Sequence, residues 1–417
     1  MNMENPHFFL LSIWIYSAGF WVAAEEFKIA QPTEILHILN SFDYSKYETP
    51  TFSEDVPTEV TIGMYVEGMS SLQAQSMDFH VDLYFEQRWD DHRLRHDAPY
   101  PVLIKDLAIY DKMWHPDLYF ANANSANFFD VTAPNFLLWI FPNGTVHHDL
   151  RISARVICNM HLGKYPLDTQ QCNLRILSYA YTEAQLNISW RFSDPIIINA
   201  ELKLPDMHIV NYYPMRCDGT YAIATWSCVQ AVFKFEREIM HHVLQSYVPT
   251  ILIVVISWFS FWLDIDAVPG RVSLCITTLL TLATQASSTR LSLPQVSYAK
   301  AIDVWMEACL GFVFGVLIEF TAVNFVSRTG RDLEDNSYYN EDTAAMIKEN
   351  STVGANSELK VSFDAVRLLN SALDSSIRRR RVGRKMAIRI DKMCRLLFPL
   401  AFLLFNVVYW PYYVFVD

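Results

Sequence analysis

Five side chains, Ser273, Thr277, Leu280, Thr284 and Ser287, recur at intervals of four, three, four and three residues, which sets them on one stripe of a helix. The segment Val272 to Thr289 is uncharged, so in a bilayer those hydroxyls must face protein or water. Two uses fit. Small polar residues let helices pack closely, and several copies of such a stripe line a hydrated path. Strict alternation sets up a second constellation. In Phe79-His80-Val81-Asp82-Leu83-Tyr84-Phe85-Glu86, Tyr84 and Glu86 share one face and Leu83 and Phe85 the other. His147, Asp149 and Arg151 alternate in the same way. No nucleophile, base and acid set and no phosphate-cradling Gly loop occurs, with only 12 Gly in 417 residues, so the chain does not read as an enzyme.

The elements that hold these residues divide sharply by composition. Hydrophobic residues make up 52% of the chain and charged residues 19%, and the formal charge is -12. The apolar excess points to a membrane, and the acidic balance argues against nucleic acid as a partner. Phe8 to Ala24 is an apolar run ending in Val22-Ala23-Ala24 and followed by Glu25-Glu26, so residues 1–24 read as a cleavable secretory signal. Glu4 and the lack of Lys or Arg before the run leave an uncleaved anchor as the alternative; either way the next segment is exported. Residues 25–240 show short alternating runs and a hairpin signal at Asn143-Gly144, as in a β-sandwich.

Beyond Met240, Val243 to Leu263 and Leu396 to Val416 are uncharged and long enough to cross about 30 Å of hydrocarbon. With Val272 to Thr289, and Ala308 to Val326 carrying Glu319 and Asn324, four spans are expected: three within 241–327 and a fourth within 394–417. Residues 328–393 form the intervening loop. Arg378 to Arg381, Arg384, Lys385, Arg389, Lys392 and Arg395 mark that loop as cytoplasmic, which puts both termini outside. Asp335 to Ser357 is polar enough to be disordered. From Ser362 the spacing of Phe363, Val366, Leu369 and Leu373 predicts a basic amphipathic helix leading into the last span.

Four cysteines, Cys158, Cys172, Cys217 and Cys228, lie in the exported part, where disulfides persist; Cys275, Cys309 and Cys394 lie in or beside spans. Nearest-neighbour pairing is the simplest arrangement, enclosing thirteen and ten residues. A zinc site is the rival and prefers tighter spacing. Asn143-Gly-Thr145 and Asn187-Ile-Ser189 are exported glycosylation sequons. Asn143 also serves the hairpin turn, so Asn187 is the favoured acceptor.

Taken together, the chain closely resembles the Cys-loop family of pentameric ligand-gated ion channels. The motifs that carry this are Tyr165-Pro166-Leu167-Asp168 inside the thirteen-residue loop, Trp114-His115-Pro116-Asp117, Trp89-Asp90 with Arg93-Leu94, Arg237, Pro249, and Ser257-Trp258-Phe259-Ser260-Phe261-Trp262. Pro269-Gly270-Arg271-Val272, Thr277-Thr278, Val296-Ser297-Tyr298 and Ile302-Asp303 look closest to the glycine-receptor and invertebrate anion-channel branch. The resemblance implies an all-β extracellular sandwich followed by a four-helix transmembrane bundle, assembled as a pentamer with itself or related subunits in the plasma membrane, with no cofactor. A membrane-anchored adhesion or carrier protein would have no reason for the Ser/Thr stripe or for Pro269-Gly270-Arg271.

The resemblance also implies roles. Ser273, Thr277, Leu280 and Thr284 would line the pore, with Leu280 as a constriction that gates by dewetting. Pro269 and Gly270 would stand where related cation channels carry Glu, and rings of Arg271 and Arg290 would favour chloride. Agonist would bind between neighbouring sandwiches, with Phe120, Tyr179, Tyr221 and Trp226 on one side and Tyr84 on the other. Where related receptors for amino acids carry a carboxylate-gripping Arg, this chain has Glu86; where they carry an ammonium-facing Glu, it has Leu177; and Asp149 replaces a small hydroxyl residue. An acidic, aromatic site of that kind implies a small cation, such as acetylcholine, choline or a biogenic amine. Two alternatives remain: zinc or proton gating through His147, Asp149 and Glu86, and a subunit without an agonist site of its own that works only in heteromers. Coupling to the pore would run through the Cys158 to Cys172 loop, Arg237 with Asp168 as its partner, and Arg290 to Lys300.

Overall fold

The computed structural model describes residues 28–328, except Phe42, and residues 358–415. The expected signal segment and the polar stretch 335–357 lie outside the described residues.

Alternating apolar residues build two facing sheets. The larger has eight strands. Its central path is β10 (Ile196–Ile198), β1 (Thr58–Gln73), β2 (Asp78–Asp90), β7 (Thr145–Ile157), β6 (Phe136–Ile140) and β3 (Val102–Ile104). Off that path β5 (Ala123–Phe128) pairs with β7, and β9 (Leu186–Trp190) runs parallel to β1. The smaller sheet is β11 (Met207–Arg216), β12 (Cys228–Arg237), β8 (Thr169–Ser178) and β4 (Leu118–Phe120). The inward residues of β2 and β7, including Phe79, Val81, Leu83, Phe85, Val146 and Val156, pack against Leu174, Ile176, Phe233 and Phe235 of the second sheet. The β6–β7 hairpin turns at Gly144, whose φ of 89° suits glycine.

Cys158–Cys172 and Cys217–Cys228 are disulfides, which removes the zinc alternative for these four cysteines. Cys275, Cys309 and Cys394 are free.

Among the described residues three helices are long and apolar enough to cross a membrane: Met240–Trp262, Ala301–Ser327 and Val382–Phe415. The second expected span forms a helix of 24 residues, Val268–Leu291. At 1.5 Å per residue it is about 36 Å long, but its Ser and Thr keep it below the apolarity of the other three. The last span belongs to a continuous 58-residue helix, Glu358–Phe415, which takes in the expected amphipathic segment. These four are called the first to fourth helices below.

Candidate functional site

The aromatic residues expected on one side of the site gather at the edge formed by β4, the end of β8 and the β11–β12 loop. Tyr179 is 78% exposed and meets Tyr119 edge-on at 5.8 Å, and Tyr221 meets Trp226 edge-on at 5.6 Å. The second disulfide ties Trp226's loop to the sheet, and the Trp226 indole Nε1 is enclosed without an acceptor. Asp117 fixes the Tyr179 turn by accepting from Ser178 Oγ at 2.5 Å and from Ala180 N at 2.6 Å. Phe120 is corrected: it packs inward against Phe85 at 5.6 Å. Its neighbour Tyr119 takes the exposed position, as alternation along β4 dictates.

On the outer face of the larger sheet, register aligns Tyr65, Tyr84 and Arg151; Gly63, Glu86 and Asp149; and Thr61, Arg88 and His147. The expected acidity of this face is overturned. Arg191, just after β9, bonds Glu86 through Nη1 at 2.5 Å and is itself held by the carbonyls of Ser193 and Asp194. Gly63 leaves the room for this pair, since a Cβ there would lie 3.2 Å from Glu86 Oε2. Arg151 stacks over Tyr84 at 5.5 Å and Phe129 at 4.3 Å. Glu86 and Asp149 therefore share the face with Arg88, Arg151 and Arg191. Asp149 Oδ1 is enclosed without a donor, and burial together with Glu86 raises its carboxyl above the usual range.

His147 lies edge-on to Phe141 at 5.1 Å, and burial and Arg88 lower its imidazole below its ordinary value. Among the described residues no group of three His, Cys, Asp or Glu is placed to hold a metal ion, so the zinc reading of His147, Asp149 and Glu86 lacks its ligand cluster. The sequons also exchange places in preference. Asn187 is half-buried, with its amide donating to Glu59 at 2.9 Å and its oxygen accepting from Ser227 at 3.1 Å, whereas Asn143 is exposed at the hairpin turn.

Between sandwich and helices, Arg237 donates to Asp168 through Nε at 2.7 Å and Nη2 at 3.2 Å, and lies over Tyr165 at 4.6 Å. Both side chains are nearly fully buried. The same loop is bonded to the helices: Tyr298 OH accepts from Leu162 N at 2.9 Å, and Ala301 N and Ile302 N donate to Gly163 O and Tyr165 O at 3.0 and 3.1 Å. The first turn of the third helix thus rests directly on the Cys158 to Cys172 loop.

In the second helix Arg271, Cys275, Thr278, Leu282 and Ala286 are buried against the chain's own bundle. Ser273, Thr277, Leu280, Thr284 and Ser287 are exposed on the opposite side, Leu280 at 64%. Thr277 Oγ1 donates to Ser273 O at 2.8 Å and Thr284 Oγ1 to Thr281 O at 2.8 Å, which satisfies the hydroxyl protons within the helix. Pro269 and Gly270 are exposed at its start. Arg271 is not. It is 1% exposed and forks onto Asp391 of the fourth helix at 2.8 and 3.2 Å. The expected ring of free Arg271 charges is therefore corrected. Arg290 is half-exposed but ion-paired with Glu307 and, at 3.9 Å, with Asp303.

Sequence reasoning passed over Tyr119, Arg191 and Asp391, whereas Tyr298 lies within the expected Arg290 to Lys300 coupling segment. Alternation pointed to Tyr119; Arg191 and Asp391 lie far in sequence from their partners and gave no local signal.

Residues 32–239 match the neurotransmitter-gated ion-channel ligand binding domain, and residues 246–358 match the neurotransmitter-gated ion-channel transmembrane region. The chain is similar to "Glycine receptor subunit beta-type 4" of Caenorhabditis elegans, 45% identical over 445 aligned positions covering 96% of this chain and 93% of the relative. It is also similar to "Glutamate-gated chloride channel" of Drosophila melanogaster, 36% identical over 393 positions covering 87% and 86%. With both halves matched, and with the sandwich, its two disulfides and the helical bundle in place, the chain belongs to the family of neurotransmitter-gated ion channels.

Proposed function

We propose that this chain is a subunit of a pentameric anion channel of the plasma membrane, opened by a small cationic agonist bound between neighbouring sandwiches. Anion selectivity is supported by the two relatives, by the absence of Asp and Glu from Val268 to Leu291, and by the helix N-terminus at Pro269 and Gly270, whose dipole favours negative charge. The exposed Ser/Thr stripe lines the path, and Leu280 forms its constriction.

The observation that carries the ligand reading is the double pair Tyr119–Tyr179 and Tyr221–Trp226, exposed at its three tyrosines and half-buried at Trp226. Each aromatic face attracts a quaternary or protonated amine by about 0.5 to 2 kcal/mol. Across the interface Asp149 adds a half-buried carboxylate on the face that also carries Tyr84. A second reading rests on Arg151, whose guanidinium lies over Tyr84 and Phe129 on this face and would grip the carboxylate of an amino acid by charge-assisted hydrogen bonds.

Voltage-clamp of cells expressing the chain separates these readings. Acetylcholine, choline or monoamines should evoke a current that reverses with the chloride gradient and is lost in Trp226→Ala. Activation by glycine or glutamate, lost in Arg151→Ala, would establish the second reading. Activation by zinc or acid, lost in His147→Ala with Trp226 dispensable, would overturn both.

A further inference from the structure

Three ionisable side chains from three helices meet inside the bundle. Arg271 of the second helix donates to both oxygens of Asp391 of the fourth, and its Nη2 also donates to Leu263 O at 2.5 Å. Glu319 of the third helix is buried in the same layer of the bundle: about one turn to either side of it, Val316 packs with Cys275 and Cys394, and Val323 packs with Ala387 and Ile390 of the fourth helix. All three are buried, at 1%, 3% and 7% exposure for Arg271, Asp391 and Glu319. Neither oxygen of Glu319 has a hydrogen-bond donor.

Among the described residues no second cation is bonded to this cluster. On the second helix Cys275 donates toward Ser260 at 3.8 Å, Cys394 faces the cluster from the fourth helix, and Arg395 is turned away onto Phe261 O at 2.9 Å. One guanidinium committed to Asp391 leaves a second ionised carboxylate uncompensated in a low-dielectric setting. Two carboxylates also have no donor between them unless one carries a proton.

We infer that Glu319 and Asp391 bind one proton between them, as a carboxyl donating to a carboxylate, and that this proton site connects cytoplasmic pH to the first turn of the pore helix. With the proton bound, Asp391 keeps the Arg271 fork. Without it, Glu319 competes for that fork and pulls on Arg271, one residue beyond Gly270, where a Cβ would meet nothing within 4 Å. Water is near: the Arg384–Asp266 pair, more than half exposed, stands seven residues before Asp391, about 10 Å along the helix. This direction rests on the pore reading proposed above and on the cytoplasmic placement of the basic loop expected from the sequence.

Infrared difference spectroscopy of the full-length chain in lipid nanodiscs tests the site without needing a current. The expected result is a protonated-carboxyl C=O band that shifts in D2O, disappears in one step on alkalinisation, and is absent in Glu319→Gln. Asp391→Asn is the second variant: with its partner gone, Arg271 ionises Glu319 and the band is lost with Glu319 still present. A wild-type spectrum without a band that depends on Glu319 overturns the proposal. In excised patches, agonist currents should respond to pH on the cytoplasmic face in wild type and not in Glu319→Gln. A response only to pH on the agonist side overturns the cytoplasmic connection while leaving the infrared result standing, and a silent channel with the band present counts against the pore reading alone.

Discussion

His148 offers a measurable acid sensitivity. Its side chain points into the sandwich from β7, next to the outward pair His147 and Asp149, and is 1% exposed with neither ring nitrogen bonded. It lies edge-on to Trp89 at 6.2 Å and against Tyr110 at 5.2 Å. Burial first, and then His115, push its pKa down from 6.5 to about 3. Because the folded value is depressed, the unfolded chain takes up the proton at higher pH. Stability is therefore complete above about 6.5 and is lost as pH falls from there towards 3. At 1.36 kcal/mol per unit the full loss is roughly 5 kcal/mol, and at pH 5 it is about 2 kcal/mol. For a sandwich of this size that is a fall in Tm of about 4–8 °C. The assay is thermal unfolding of the solubilised chain at pH 7.5 and pH 5.0, in wild type and in His148→Phe, which keeps a ring in the space. The wild type should lose about 4–8 °C more than the variant on acidification. Equal losses would show that His148 is hydrated or bonded and that the burial argument is wrong.

The remaining predictions concern paired charges and the surface. Asp168→Asn leaves Arg237 buried without its partner and should cost about 3–5 kcal/mol, read as reduced thermal stability; a Asp168→Asn/Arg237→Gln double variant losing as much as the sum of the two singles would show that the pair does not interact. Arg271→Gln should lower assembly by a similar route, yet its residual current should still reverse with chloride, whereas Gly270→Glu, which places an acidic ring at the mouth, should move the reversal potential towards the cation gradient. A glycan mobility shift should vanish in Asn143→Gln and persist in Asn187→Gln, and the opposite result would mean that the Asn187–Glu59 contact opens before folding is complete.

What the sequence revealed depended on whether the signal was local. Alternation along β2 and β7 and the four-three spacing from Ser273 to Ser287 are properties of neighbours, so the sandwich faces and the polar stripe could be read directly. The same periodicity contradicts a pore-facing Arg271: two residues before Ser273 is 200° around a helix at 100° per residue, on the side of Cys275 and Thr278. Its charge made it look like a pore residue, and its phase made it a core residue. Leu118, Tyr119 and Phe120 repeat the point on a strand, where motif matching chose Phe120 and the pleat exposes Tyr119. Long-range partners left no such trace. Arg191 reaches Glu86 across 105 residues because β9 runs parallel to β1, and Asp391 reaches Arg271 across 120.

These partners change how the ligand face acts, because a charge read from sequence counts only if nothing within the subunit cancels it. Glu86 is cancelled by Arg191, so the attraction left for a cation comes from aromatic faces and from Asp149. Releasing Glu86 should therefore strengthen a cationic agonist. Arg191→Ala removes the cancelling guanidinium while its neighbours Ser193 and Asp194 contribute only backbone carbonyls to the original contact. The Glu86 side chain is 35% exposed, so solvent screens most of the Coulomb gain, leaving on the order of 1 kcal/mol, about fivefold in half-maximal concentration. Concentration-response curves for Arg191→Ala and for Arg191→Ala/Glu86→Gln measure it: the first should shift to lower amine concentration and the second should return close to wild type. If the first variant weakens the amine and the second weakens it equally, Arg191 acts other than by cancelling Glu86, and the electrostatic account of this face is refuted.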